Sequence, residues 1–306
     1  MSAQSENSLL IVGGSGFIGR HLTIHAIEKG FNVSILVTTY PEKPLPSVEY
    51  LLADIGNIQS LKQTLKGKKF SYVVNLGGYI DHSSFSQKGE QILNTHLTGT
   101  MNLVSLLRSE DLIHFVQIGS SDEYGSNRSP QHEDLADMPF SFYSFAKSAA
   151  TRFLKMMNDL EDFPVSMLRL FLVYGPGQDS NRFVPQVISD CLDGKIVKTS
   201  PGDQVRDFCY VEDIARGIVD TLLSSNSKGQ IINLASGDPV TIKQVVNLII
   251  KLTGSGTTDF GFLPYREGEN MSLYANISKA NELLNWKPLF SLEKGLKETI
   301  ASFKAT

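Results

Sequence analysis

Short apolar runs and amphipathic stretches alternate through the first half of the chain. Leu9-Leu10-Ile11-Val12 stops at a glycine, and apolar positions then recur at helical spacing over 17–29. Strand patterns return at 32–37, 48–52, 72–76, 114–118 and 165–170, with helical patterns at 58–65, 90–108 and 142–158 between them. Strands joined this way run parallel, with right-handed helical crossovers on both faces. The pattern therefore predicts an α/β, Rossmann-like doubly wound parallel sheet. Beyond residue 176 the segments shorten and mix. Residues 9–176 are expected to form the sheet domain, with 211–234 returning to its sheet. Residues 177–210 and 235–306 are expected to build a smaller, interleaved substrate lobe, and residues 1–8 a disordered tail.

Composition narrows the classes. The 306 residues carry 28 Lys+Arg against 32 Asp+Glu, a net charge of -4, which disfavours a nucleic-acid binder that must neutralise phosphates. Hydrophobic residues are 41%, too many for a disordered chain, yet no apolar run is long enough to cross a membrane. Cys191 and Cys209 sit in apolar segments and form no metal-ligand spacing. The polar N-terminus shows no signal-peptide pattern, so a cytoplasmic location is expected.

Two constellations carry chemistry. Gly13-Gly14-Ser15-Gly16-Phe17-Ile18-Gly19 lies between the first strand and the first helix, where glycines allow a tight turn and close approach of a pyrophosphate. Gly13, Gly16, Phe17, Ile18 and Gly19 are thus candidate cofactor contacts. The second strand ends in Val37-Thr38 without the carboxylate that would bind an NAD ribose, which favours NADP and leaves NAD open. Asp54 is a candidate adenine partner, with Ile55 and Leu76 beside it on the cofactor wall. Tyr143 and Lys147 stand at i and i+4, on one helix face, so the ammonium can approach the phenol and favour its ionised form. Ser120 follows the fifth strand at its carboxyl end, where open α/β sheets bind ligands. A tuned tyrosine there can exchange a proton with a carbinol while a nicotinamide exchanges hydride.

These motifs, with Asn94-x4-Gly99-Thr100, Val173-Tyr174-Gly175-Pro176-Gly177 and Tyr210-Val211-Glu212-Asp213, resemble the extended short-chain dehydrogenase/reductase family, also called the NAD-dependent epimerase/dehydratase family. The resemblance runs over nearly the whole chain. It implies Tyr143 as acid/base and Lys147 on the nicotinamide ribose. Ser120, with Ser121 and Asp122, would meet the sugar, and Arg206 and Arg266 would grip the diphosphate of a nucleotide diphosphate sugar; in the loop after the fourth strand, Tyr79 or His82 is expected to line the sugar pocket. No metal is implied. The dehydratases of the family place an Asp-Glu pair where this chain has Ser121-Asp122, which argues against 4,6-dehydration. The segments 181–185, 202–208 and 269–276 are similar to the nucleotide-sugar 4-ketoreductase branch, typified by CDP-abequose synthase and dTDP-4-dehydro-6-deoxyglucose reductase. Reduction of a 4-keto-6-deoxyhexose is therefore the leading expectation, and a 4-epimerase is the alternative. A dehydratase and a non-catalytic dinucleotide-binding regulator are weaker readings. Leu172 replaces the family's usual Asn, and Leu76-Gly77-Gly78 its Leu-Ala-Ala. The helices at 90–108 and 142–158 resemble those of the family's homodimer, with Leu93, Leu97, Met101, Val104 and Met156 serving that interface or the core.

Overall fold

The computed structural model describes residues 7–266 and 268–304. Residues 1–6 of the expected tail lie outside the described residues, as does Glu267. Asn7 and Ser8, expected in the tail, belong to the sheet instead: the Asn7 carbonyl accepts the Asn32 N–H and Ser8 opens the first strand.

Seven parallel strands form the central sheet. Chain order gives β1 (Ser8–Val12), α1 (Phe17–Glu28), β2 (Asn32–Val37), β3 (Glu49–Leu52), α2 (Ile58–Thr64) and β4 (Tyr72–Asn75). Next come α3 (Glu90–Leu93), α4 (Gly99–Leu107), β5 (His114–Ser120), α5 (Phe142–Glu161), β6 (Val165–Leu170) and β7 (Leu172–Tyr174). Then follow α6 (Phe183–Leu192), β8 (Ile196–Thr199), β9 (Val205–Tyr210), α7 (Val211–Leu223) and β10 (Ile231–Leu234). The sheet runs β10-β6-β5-β4-β1-β2-β3, so the order reverses beside β1 and a crevice opens there at the strands' carboxyl ends.

The sheet is apolar on both faces because helices cover both. Leu9 and Ile11 point into a core shared with α1 and α7, while Leu10 and Val12 point into one shared with α2, α4 and α5. Successive side chains of a strand alternate faces, so the short run of four apolar residues serves two cores at once. A third core lies outside the sheet. It joins α6, β9, α8 (Ile242–Thr253) and α10 (Leu292–Lys304) around Ile188, Phe208, Val246 and Leu296. There β9 lies between β11 (Pro239–Thr241) and β13 (Ser272–Leu273) and also pairs with β7.

The expected helix at 90–108 differs in kind. It starts at Phe85, and two π-helical segments, Phe85–Gly89 and Asn94–Thr98, flank α3. Each π-helical turn shifts the apolar stripe by about one residue over only five residues, too short a stretch for periodicity to report. Of the residues left between core and interface, Val104 is buried, whereas Met101 and Met156 are exposed. Among the described residues, no helix is long and apolar enough to cross a membrane.

One buried ion cluster ties the site-bearing loops to this frame. Arg169 of β6 is fully buried and bonds Glu123 through Nε (3.1 Å) and Asp137 through Nη2 (2.6 Å). Its guanidinium also stacks 4.3 Å from the Tyr124 ring centroid. Asp137 reaches on to Ser148 and Arg152 of α5, at 2.8 Å each. Removing the cation would leave two carboxylates without their partner in a dry interior. Arg169→Ala is expected to lower stability by about 3–5 kcal/mol in urea unfolding; a loss under about 1 kcal/mol would contradict this role.

A second tie joins the first helix to later chain. The His21 ring meets Glu212 of α7 through Nδ1 at 2.5 Å and the Pro176 carbonyl through Nε2 at 2.8 Å. Both partners are acceptors, so only the doubly protonated imidazolium satisfies both. Burial opposes that charge, but the bonds to Glu212 and Pro176 outweigh it and raise the His21 pKa. The stabilisation is therefore complete below the ordinary histidine value of about 6.5 and is lost as pH rises through the raised one. In thermal melts, His21→Gln should lower Tm more at pH 6 than at pH 8.5.

Candidate active site

The turn after β1 is shaped for an anion. Gly13 has φ +75°, which favours glycine, and lies against the Leu76 carbonyl. A Cβ on Gly19 would come within 2.4 Å of the Gly13 carbonyl oxygen, so α1 can approach β1 only with glycine there. Gly16 caps α1 with no side-chain hydrogen bond, and no acidic residue occupies the first turn. The helix thus presents its unpaired N–H groups and partial positive charge to the crevice. These residues fit a dinucleotide pyrophosphate. Phe17 and Ile18 are half-buried at that first turn. Thr38 is exposed at the end of β2, and Ile55 and Leu76 stand at the ends of β3 and β4. Asp54 is exposed, with Oδ1 accepting the Gly56 N–H at 2.8 Å and its other oxygen open.

The second constellation gathers where β5 ends. Ser120 caps a short 3-10 turn, Ser121–Tyr124, and its hydroxyl accepts the Asp122 N–H at 3.2 Å. Glu123 folds back so that Oε1 accepts the Ser120 N–H at 2.8 Å. On the facing helix, Ser141 caps α5 and starts it two residues before Tyr143, which points the phenol at Ser120. Tyr143 is 5% exposed. Burial pushes its phenol well above the ordinary value and the Asp122 carboxylate adds to this, while Ser120 and the Arg182 guanidinium pull it down.

Lys147 is buried and donates to the Ile118 carbonyl at 2.8 Å, with its ammonium 6.0 Å from the Tyr143 ring centroid. Burial holds its pKa down at about 8, with Glu123 opposing. The pair does share one helix face. In the protein alone, however, the phenol lies above its ordinary value, opposite to the direction inferred from the lysine's spacing. Burial outweighs a cation committed to a carbonyl.

The sugar-side candidates divide. Asp122 is half-buried and faces His82 at 3.6 Å, Nε2 to Oδ2. The His82 ring stacks on Phe140 and meets Tyr143 edge-on at 5.5 Å between centroids. Ser121, by contrast, is 4% exposed and turned into the protein. Arg206 of β9 is 9% exposed; Nη1 bonds the Val205 carbonyl at 2.8 Å and Nη2 pairs closely with Glu269. Exposed Arg266 lies near enough to Arg206 to disfavour its charge.

Three groups here were not singled out from sequence. Arg182, the exposed residue before α6, lies near enough to Tyr143 to pull its pKa down, and Glu269 holds Arg206. His96, in the second π-helical segment, is buried edge-on to Tyr143 at 5.2 Å, with Nε2 on the Tyr79 carbonyl at 2.9 Å. Burial, aided by Lys147, lowers its pKa to about 3, so it packs as a neutral ring. Its place in a π-helical turn was the only available signal, and that turn is not visible in the pattern.

Comparison with known proteins bears on this geometry. Residues 9–235 match the model of the NAD dependent epimerase/dehydratase family. A putative UDP-glucose 4-epimerase of Methanocaldococcus jannaschii is 30% identical over 95% of this chain and 97% of its own length. A UDP-glucuronate 4-epimerase of Thermodesulfobacterium geofontis is 29% identical over 95% of this chain and 94% of its own. The crystal structure of the Bacillus cereus UDP-glucuronic acid 4-epimerase, in complex with UDP-glucuronic acid and NAD, superposes with a TM-score of 0.86. It is 26% identical and covers 97% of this chain and 99% of that one. Those names favour the epimerase alternative over the 4-ketoreductase expectation, and NAD in the solved relative lends no support to an NADP preference. With residues 9–235 matched by its model and a relative 30% identical over nearly the whole length, the chain belongs to the NAD dependent epimerase/dehydratase family.

Proposed function

We propose that the protein is an NAD-dependent 4-epimerase of a nucleotide diphosphate hexose, with Tyr143 as its acid/base. The observation that carries this reading is Tyr143 and Ser120 converging at the mouth of the crevice beside the glycine turn, in a chain whose relatives are named 4-epimerases. Bound NAD supplies the hydride acceptor and donor. Ser120 holds the C4 oxygen, Tyr143 takes its proton and returns it, and Lys147 binds the nicotinamide ribose. Gly13, Gly16 and Gly19 take the cofactor pyrophosphate, with Asp54 at the adenine. Arg206 and Arg266 take the sugar-nucleotide diphosphate, for which a guanidinium fork is suited.

Dehydration is disfavoured by the same loop. Glu123 is committed to Arg169 and the Ser120 N–H, and Ser121 is turned inward. Neither is available to expel water from the sugar.

Tyr143→Phe should lower kcat for C4 epimerisation about 10²–10⁴-fold, measured with UDP-glucose and NAD, and leave the glycine-turn site able to bind cofactor. Nucleotide released from the acid-denatured protein should be NAD. Stoichiometric NADPH consumption with a 4-keto-6-deoxyhexose would overturn the proposal in favour of a reductase.

The homodimer belongs to this proposal as well. Met101 on α4 and Phe145, Met156 and Leu160 on α5 are exposed apolar side chains on neighbouring helices. Light scattering should give twice the 33.7 kDa chain mass; a monomer would refute it.

A further inference from the structure

Asp122 occupies a position that its neighbours define. Its carboxylate raises the pKa of Tyr143, pairs with His82 from the loop after β4, and in turn feels the charge of Arg206 on β9. If the C4 oxygen meets Tyr143 and the diphosphate meets Arg206, the hexose ring spans the interval between them, and Asp122 flanks that ring. The substituent on C5 adjoins C4, so it is one of the two ring positions that can face this carboxylate.

The charges at this place do not favour another anion. Burial, the largest cause, raises the Asp122 pKa, and Glu123 next to it adds to this; His82 and Arg206 pull it down without cancelling the rise. Glu123 answers to Arg169, and Arg206 is already paired with Glu269. A sugar carboxylate would therefore add a third anion beside Asp122 and Glu269, with Arg206 shared among them. A neutral hydroxymethyl group would meet no such repulsion, and its hydroxyl can donate to Asp122.

We infer that Asp122, steadied by His82, selects by charge at C5, admitting a nucleotide diphosphate hexose with a neutral C5 substituent and rejecting the corresponding uronate. The inference rests on the proposed epimerase reading and adds to it the substrate class. It separates this chain from the relatives named for UDP-glucuronate. Two like charges about 5 Å apart at a partly buried site disfavour one another enough for roughly a 10- to 100-fold discrimination.

The test uses the full chain with UDP-glucose and UDP-glucuronate, reading kcat/KM for C4 epimerisation and, separately, Kd by calorimetry. The wild type should prefer UDP-glucose by roughly 10-fold or more. Asp122→Asn and, independently, Asp122→Ser should collapse that ratio, chiefly by lowering KM and Kd for the uronate. His82→Ala should steepen it, because the carboxylate loses the ring that faces it at 3.6 Å. Circular dichroism and NAD content establish that each variant is folded. Equal binding of the two sugars by the wild type would overturn the inference alone, as would an unchanged ratio in both Asp122 variants. A wild-type preference for the uronate that disappears in Arg182→Ala would also overturn it, by assigning the carboxylate to Arg182. Failure to bind either sugar nucleotide would overturn the proposed function together with this inference.

Discussion

Arg169 is the point through which the site is held. A guanidinium fully buried on a sheet strand has no water to solvate it, so its charge must be met by fixed partners. Glu123 and Asp137 supply them, from the loop after β5 and the segment before α5. The same Glu123 receives the Ser120 N–H, and the same Asp137 receives Ser148 and Arg152 of α5. One buried cation therefore fixes the Ser120 turn and the Tyr143 helix relative to each other. Replacing the cluster by apolar groups could preserve stability, since buried ion pairs gain little net free energy. It would not preserve the geometry, because apolar contacts lack the direction that sets where a turn points.

Around that anchor the protein places charge locally rather than globally. The net charge of -4 describes the whole surface, while the crevice contains a helix N-terminus at one end and Arg206 with Arg266 at the other. Between them lie a buried phenol and a half-buried carboxylate. Such an arrangement suits two diphosphate ligands, one at each end, whose uncharged reacting groups meet between them. In a water-poor crevice, interactions between these fixed groups are stronger than at the exposed surface, so their placement decides what binds.

Much of the frame was legible as pattern. β2 and β6 fall on the expected residues, and β1, β3, β4, α1 and α2 fall within a residue or two of the expected bounds. The reason is that strands covered on both faces read as continuous apolar runs, and the connecting helices carry one apolar stripe. β5 runs two residues further than its apolar run, to Ser120, because backbone pairing with β6 continues through Gly119 and Ser120 after the hydrophobic signal has ended. The π-helical turns around α3 had no signal of their own. Ser121 shows the limit of counting along a motif. Its number places it beside Ser120, yet the 3-10 turn directs it inward and Asp122 outward.

The sequence by itself determined the alternation of elements, the glycine turn and the order of Ser120, Tyr143 and Lys147. Each depends on neighbours within a few residues, through backbone conformation and helical or strand periodicity. Only the tertiary structure decided which charges meet. Arg169 finds Asp137 across 32 residues, Arg206 finds Glu269 across 63, and His82 faces Asp122 from a different loop. Burial, which sets the direction of the Tyr143 and Lys147 shifts, likewise exists only once distant segments have closed over them. Charge and solvent exclusion act through space, and the chain's order does not encode distance through space until it has folded.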